Sequence, residues 1–266
     1  MSGPYKSIPR CHFCQNPPPQ GGFFYALIHF TARKNYGILN ELLNSQQYAA
    51  LPHAHKGVTA MIRIVTDSAA DLTAAELNVP GIFVVPLSVT FADGTTQLDD
   101  GTMTKDEFFV RLAEDSKLPR TSQPSPASFM QVYEDAAAAG DEVLVITIGQ
   151  KLSGTYQCAH LAAADVGLQV HIVDSEAASQ AEALLVREAV RLRDEEGLTA
   201  EEIAAVLEQF KKRVRIVAVV DSLKHLQKGG RLPAAVAIVG GALGIKPVLA
   251  LQDLSLIHIS EPTRPI

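Results

Sequence analysis

Gly149 to Tyr156 reads GQKLSGTY, and the segments on either side of it decide the fold class. Upstream lies Val143-Leu-Val-Ile-Thr-Ile148, whose length and β-branched content suit a buried strand. Downstream, the alanine-rich stretch from Gln157 to Val166 suits a helix. A strand, a tight glycine-containing turn and a helix opening with hydroxyls, here Ser153 and Thr155, together make a common anion site. The N–H groups and positive dipole end of the helix face the ligand, and the hydroxyls add donors. Ser153 would serve equally as a plain helix cap. The turn alone leaves both open.

Working outward, strands and helices alternate. Ile62 to Thr66 reads as a strand ending at Asp67-Ser68, and Leu72 to Leu77 as a helix. Ile82 to Phe91 reads as a strand with Pro86 inside it, which implies a bend, a bulge or an edge position. Thr104 caps a helix through Phe108 and Leu112. Ser125 caps another, with Pro126 at its first position and Gly140 at its end. Past the organising turn come a strand from Val170 to Val173 ending at Asp174-Ser175 and a long helix from Ala177 to Glu196. A helix with the capping box Thr199 and Glu202 follows. Arg215 to Val220 is a further strand ending at Asp221-Ser222, followed by an apolar helix from Pro233 to Leu243 and a strand near Lys246 to Leu251. Alternation of this kind predicts an α/β fold with a parallel sheet and a ligand at the carboxyl ends of its strands. The Asp-Ser pairs sit at those ends, where they suit helix caps as well as a ligand.

Composition divides the 266 residues at Met61. Residues 1–60 hold five Lys/Arg against one acid and half of the sixteen aromatics, whereas Met61 to Asp253 holds 27 acids and 17 bases. We therefore expect residues 1–60 to be upstream sequence attached by a wrong start, poorly structured and outside the first α/β domain. That domain is expected over residues 61–175, and a second α/β domain, incomplete, over 176–253. Leu254 to Arg264 matches, residue for residue, a forward translation of the transposase adapter used in sequencing libraries, so 254–266 is expected to be adapter read-through. Unrelated codons there would overturn that expectation.

Several classes of function drop out. A net charge of −6 argues against a nucleic-acid partner. No apolar run approaches the roughly 18 residues that would span a bilayer, so stable membrane insertion is not expected. Three cysteines make no disulfide framework and suit the cytoplasm, and the lone pair Cys11 and Cys14 lacks the further ligands a zinc site needs. The turn has no lysine before its Ser/Thr, so it is no P-loop, and no GxSxG elbow surrounds Ser153. A hydroxyl at Thr121 in a proline-stiffened loop, another at Ser153 and an arginine at Arg231 after Gly229-Gly230 suit a carboxylate or phosphate instead.

Val65-Thr-Asp-Ser-Ala-Ala-Asp-Leu72, Val85-Pro-Leu87, Thr121-Ser-Gln-Pro124, Leu152-Ser-Gly-Thr-Tyr-Gln157 and Asp174-Ser175 stand in order along the chain. Val220-Asp-Ser-Leu223, Gly229-Gly-Arg231 and Ile245-Lys-Pro-Val248 extend the series. With these signatures, Met61 to Asp253 resembles the DegV family, fatty-acid-binding proteins that serve bacterial fatty acid kinase. The resemblance implies a two-domain α/β fold and a long-chain fatty acid as ligand. It implies a carboxylate held by Thr121 and Ser153, with Ser68, Ser122, Gly154 and Thr155 beside it and Arg231 near the headgroup. The acyl chain would lie in an apolar tunnel. A separate fatty acid kinase subunit would supply ATP and form an acyl phosphate, leaving this chain a carrier with no cofactor or metal of its own. The alternatives are a small-molecule phosphotransferase resembling dihydroxyacetone kinase, which would need a histidine placed against a carbonyl substrate, and a folded but inactive fragment.

The chain departs from the family pattern in two places. Ser179-Gln-Ala-Glu-Ala183 stands where the family has a glycine-rich apolar stretch, and a carboxylate there is costly unless Glu182 faces solvent. The family also continues past the Lys-Pro strand with a histidine–glycine motif and further strands. The chain is therefore expected to be truncated, with one tunnel wall missing.

Overall fold

The computed structural model describes residues 61–115, 117–219, 224–230, 248–252 and 255–256. Residues 1–60 with Cys11 and Cys14, Asp221-Ser222, Arg231, the expected helix from Pro233 to Leu243 and nearly all of 254–266 lie outside the described residues.

Four parallel strands form the main sheet in the order β2-β1-β6-β7. They are β1 (Ile62–Asp67), β2 (Ile82–Val85), β6 (Glu142–Thr147) and β7 (Val170–Asp174). Register pairs Asp67 with Val85, Thr66 with Ile146, and Thr147 with Asp174, so the carboxyl ends of all four strands share one edge. Side-chain alternation sends the strands' apolar residues to two faces. Ile62, Ile64, Leu144, Ile146 and Val173 pack on one side, and Val65, Val85, Val143 and Val145 on the other. Both faces are covered, as a parallel sheet requires. Helices α3 (Pro126–Ala139) and α4 (Thr155–Asp165) cover the second face through Phe129, Tyr133, Cys158 and Ala162.

Helices α5 (Gln180–Arg191) and α6 (Ala200–Phe210) cover the first face with Leu185, Val186, Ile203 and Leu207. Residues on both sides of position 175 thus share one core. The single helix expected from Ala177 to Glu196 is shorter. It begins at Gln180 and passes into a five-residue π turn, Leu192–Glu196, that closes on left-handed Gly197. The Thr199/Glu202 capping box forms as expected, and Ser125 caps α3 ahead of Pro126.

Pro86 divides the stretch Ile82 to Phe91. The chain leaves β2 and enters β3 (Ser88–Thr90) of a small antiparallel sheet, with β4 (Thr96–Leu98) and β5 (Arg120–Ser122) on either side. Val89 pairs with Thr121, which fixes where the Thr121-Ser122-Gln123 segment leaves the strand. Short helices α1 (Ala74–Leu77) and α2 (Lys105–Glu114) are opened by Thr73, in a capping box with Glu76, and by Thr104. A third sheet pairs β8 (Ile216–Val219), β9 (Val248–Gln252) and β10 (Ser255–Leu256) antiparallel, and helix α7 (Lys224–Lys228) lies between β8 and β9 in sequence. Among the described residues, no helix is long and apolar enough to cross a membrane.

Candidate functional site

A cleft of about 440 Å³ opens beside the carboxyl ends of the main sheet, lined by Leu87, Thr121, Ser122, Gln123, Leu152, Ser153 and Gly154. Three segments remote in sequence meet there. Leu87 follows the Pro86 break, Thr121 to Gln123 leave β5, and Leu152 to Gly154 end the organising turn. The apolar side of the cleft, Leu87 with Leu152, packs on Ala69, Ile148 and Ala178. Its polar side presents the hydroxyl-bearing residues Thr121, Ser122 and Ser153.

Helix α4 opens at the cleft. Its N-cap is Gly154, whose backbone carbonyl accepts from Cys158 N at 3.0 Å, and no side chain caps it. Ser153, one position before that cap, turns its hydroxyl onto the first turn, accepting from Thr155 N at 3.4 Å and sharing a 2.8 Å hydrogen bond with Thr155 Oγ1, and it also lines the cleft. The first turn of α4 carries no acidic residue, so no side chain of its own competes for the positive end of the dipole.

Of the residues expected at the ligand, Thr121, Ser122, Ser153 and Gly154 come together in the cleft. Thr155 does not line it; its side chain is fully buried at the start of α4. Ser68 is also set back from the cleft wall. Its hydroxyl accepts from Leu87 N at 3.0 Å and so holds a lining residue in place. Arg231 lies outside the described residues.

Gln123 was missed as a site residue, although it lies inside the Thr121–Pro124 run. Its amide Nε2 donates to the buried Cys158 Sγ at 3.0 Å, tying the β5 segment to α4. A Cβ built on Gly154 would fall 2.8 Å from Gln123 Cδ and Nε2 and collide with Oε1. A side chain at 154 would therefore force this amide to move aside.

Behind the cleft the structure buries acids. Asp67 is fully buried; its Oδ2 accepts from Ile148 N at 2.8 Å and its Oδ1 from Ala69 N at 3.0 Å. Burial pushes its carboxyl up to about 7 against the pull of those two bonds. Asp71 is raised to about 8, again by burial. Glu182, costly in the Ser179 to Ala183 stretch unless it faced solvent, is fully buried, and Thr66 Oγ1 donates to its Oε1 at 3.1 Å. Burial first, and the neighbouring Asp67 next, raise it well above the ordinary carboxylate range. Protonation removes the cost of a buried charge, while Oε2 is left buried without a hydrogen-bond partner among the described residues. Among the described residues no cluster of His, Cys, Asp and Glu is arranged to hold a metal ion.

A family model described as "Uncharacterised protein, DegV family" matches residues 61–264. The chain belongs to the DegV family. A DegV domain-containing protein of Caldanaerobacter subterraneus is 38% identical over 201 residues, covering 75% of this chain and 71% of the relative. One from Halalkalibacterium halodurans is 39% identical over 202 residues, with 75% and 71% covered. Among solved structures, a DegV family protein from Thermus thermophilus described by its fatty acid binding superposes with a TM-score of 0.68 at 38% identity. There 77% of this chain and 72% of that one are covered. A stearic acid-binding protein from Eubacterium ventriosum gives 0.68 at 34% identity, with 75% and 71% covered. DegV itself, a fatty acid binding protein from Bacillus subtilis, gives 0.68 at 30%, with 77% and 73% covered.

Proposed function

We propose that this DegV family chain binds a long-chain fatty acid, with the carboxylate on Thr121 and Ser153 and the acyl chain in an apolar tunnel. The observation that carries the proposal is the meeting of those two residues, from β5 and from the turn before α4, in one cleft with an apolar side. Hydroxyl donors and a helix N-terminus free of first-turn acids suit a carboxylate. Leu87 and Leu152 begin the apolar path. Each methylene buried beyond them contributes ~0.8 kcal/mol, so the acyl chain supplies most of the affinity and the hydroxyls set its direction. Structural relatives described as fatty-acid-binding proteins support the same ligand class.

The chain is read as a carrier that presents the carboxylate to a separate, ATP-dependent kinase in the cytoplasm. Its own turn lacks the P-loop lysine that a nucleotide would need. Native mass spectrometry of the purified chain is expected to detect a bound fatty acid, and Thr121→Val with Ser153→Ala to abolish its retention while circular dichroism stays unchanged. Retention at the wild-type level would reject the headgroup site. Acyl phosphate should form only when ATP and a fatty acid kinase are both added; turnover of ATP by this chain alone would reject the carrier role.

A further inference from the structure

The Asp67-Ser68 and Asp174-Ser175 pairs do not line the cleft, yet their aspartates grip the turn that forms one side of it. Three consecutive backbone N–H groups at the start of that turn are anchored to neighbouring segments. Ile148 N donates to Asp67 Oδ2 at 2.8 Å, Gly149 N to the Ala177 carbonyl at 2.8 Å, and Gln150 N to Asp174 Oδ1 at 3.1 Å. The Gly149 carbonyl in turn accepts from Leu152 N at 2.8 Å and Ser153 N at 3.2 Å, which carries the constraint to the site serine. Both aspartates are buried.

We infer that Asp67 and Asp174 are positioning residues for the carboxylate site, holding the 148–154 turn from the two strands flanking β6 so that Ser153 faces Thr121. The inference rests on the fatty-acid reading above. The two aspartates use their oxygens differently. Asp174 accepts from both Gln150 N and Glu176 N, at 3.0 Å for the latter, through the single atom Oδ1. Asp67 spends one oxygen on each partner, Oδ1 on Ala69 N and Oδ2 on Ile148 N. An asparagine at 174 keeps the one acceptor that matters. An asparagine at 67 must turn its NH2 group toward one of two backbone donors, leaving that buried N–H unsatisfied. Identical substitutions therefore have opposite consequences.

The test compares binding of palmitate with binding of methyl palmitate at pH 8, a pair that shares the acyl chain and differs in the headgroup. Asp174→Ala is expected to weaken palmitate about tenfold or more while changing the ester less than about twofold, a tenfold change being about 1.4 kcal/mol. Asp174→Asn should restore wild-type preference for the acid, and Asp67→Asn should lose it. If Asp174→Ala fails to fold, the contrast between the two asparagine variants decides alone. Equal behaviour of Asp174→Asn and Asp67→Asn would overturn the inference, as would an unchanged acid-to-ester ratio in Asp174→Ala. A wild type that does not prefer the acid would overturn the carboxylate site itself, and this inference with it.

Discussion

Asp71→Asn should uncouple stability from pH in a way that the structure makes quantitative. Asp71 is 3% exposed and sits in the left-handed region at φ 52, where it ends the short turn Ser68–Ala70. Asparagine accepts that backbone conformation as readily as aspartate. Burial raises the Asp71 carboxyl from 3.8 to about 8, with the nearby Asp99 and Asp67 charges pushing the same way. The folded chain therefore holds a proton that the unfolded chain releases above about pH 4. The stability this residue contributes is complete below that point and is lost as pH rises through about 8. Over the roughly three pH units from 4 to 7, at about 1.4 kcal/mol each, the loss reaches ~4 kcal/mol. Asparagine does not titrate. Urea unfolding at pH 5, 6, 7 and 8 should show the stability of the variant relative to wild type rising by ~1.4 kcal/mol per unit up to pH 7 and flattening toward pH 8. A relative stability that stays flat across that range would refute the reasoning, whatever its constant offset.

Other expectations follow from the same geometry. Gly154→Ala places a methyl group against the Gln123 amide and should weaken fatty acid binding several-fold, but cost little in a Gln123→Ala background; equal costs in both backgrounds would show that the clash is not the cause. Glu182→Gln keeps the acceptor for Thr66 and removes a titrating group whose folded carboxyl is raised by burial, so chemical denaturation at pH 7 should find it at least as stable as wild type. A loss above ~3 kcal/mol would instead mean that an ionised, paired carboxylate had been broken. Leu144→Ala, at a fully buried position on the central strand β6, should cost ~2–5 kcal/mol in the same assay and lower the thermal midpoint.

Much of the fold was legible because its signals are local. The β-branched run before Gly149, the Ser125-Pro126 start and the Thr199/Glu202 box each act through residues within a few positions of one another. Pro86 announced a break through its missing donor, and β2 and β3 do separate there into two sheets. Thr121 and Ser153 were readable as candidates from residue type and from the family pattern. Helix length past Leu192 was not, because a π turn and an α-helix share the same side-chain pattern over so short a run.

The sequence by itself determined the alternation of strand and helix and the parallel class of the sheet, and it offered Thr121 and Ser153 as candidates for a ligand. The tertiary structure alone decided which groups face one another across the site. Asp67 reaches Ile148 over 81 positions, and Thr66 reaches Glu182 over 116. Those pairings depend on the strand order β2-β1-β6-β7 and on helices closing over each face, which no local pattern encodes. For the same reason the burial of Glu182, with its carboxyl raised, could not be read from the Ser179 to Ala183 stretch. The turn from Gly149 to Tyr156 announced a site, but its shape is set by two aspartates at the ends of neighbouring strands.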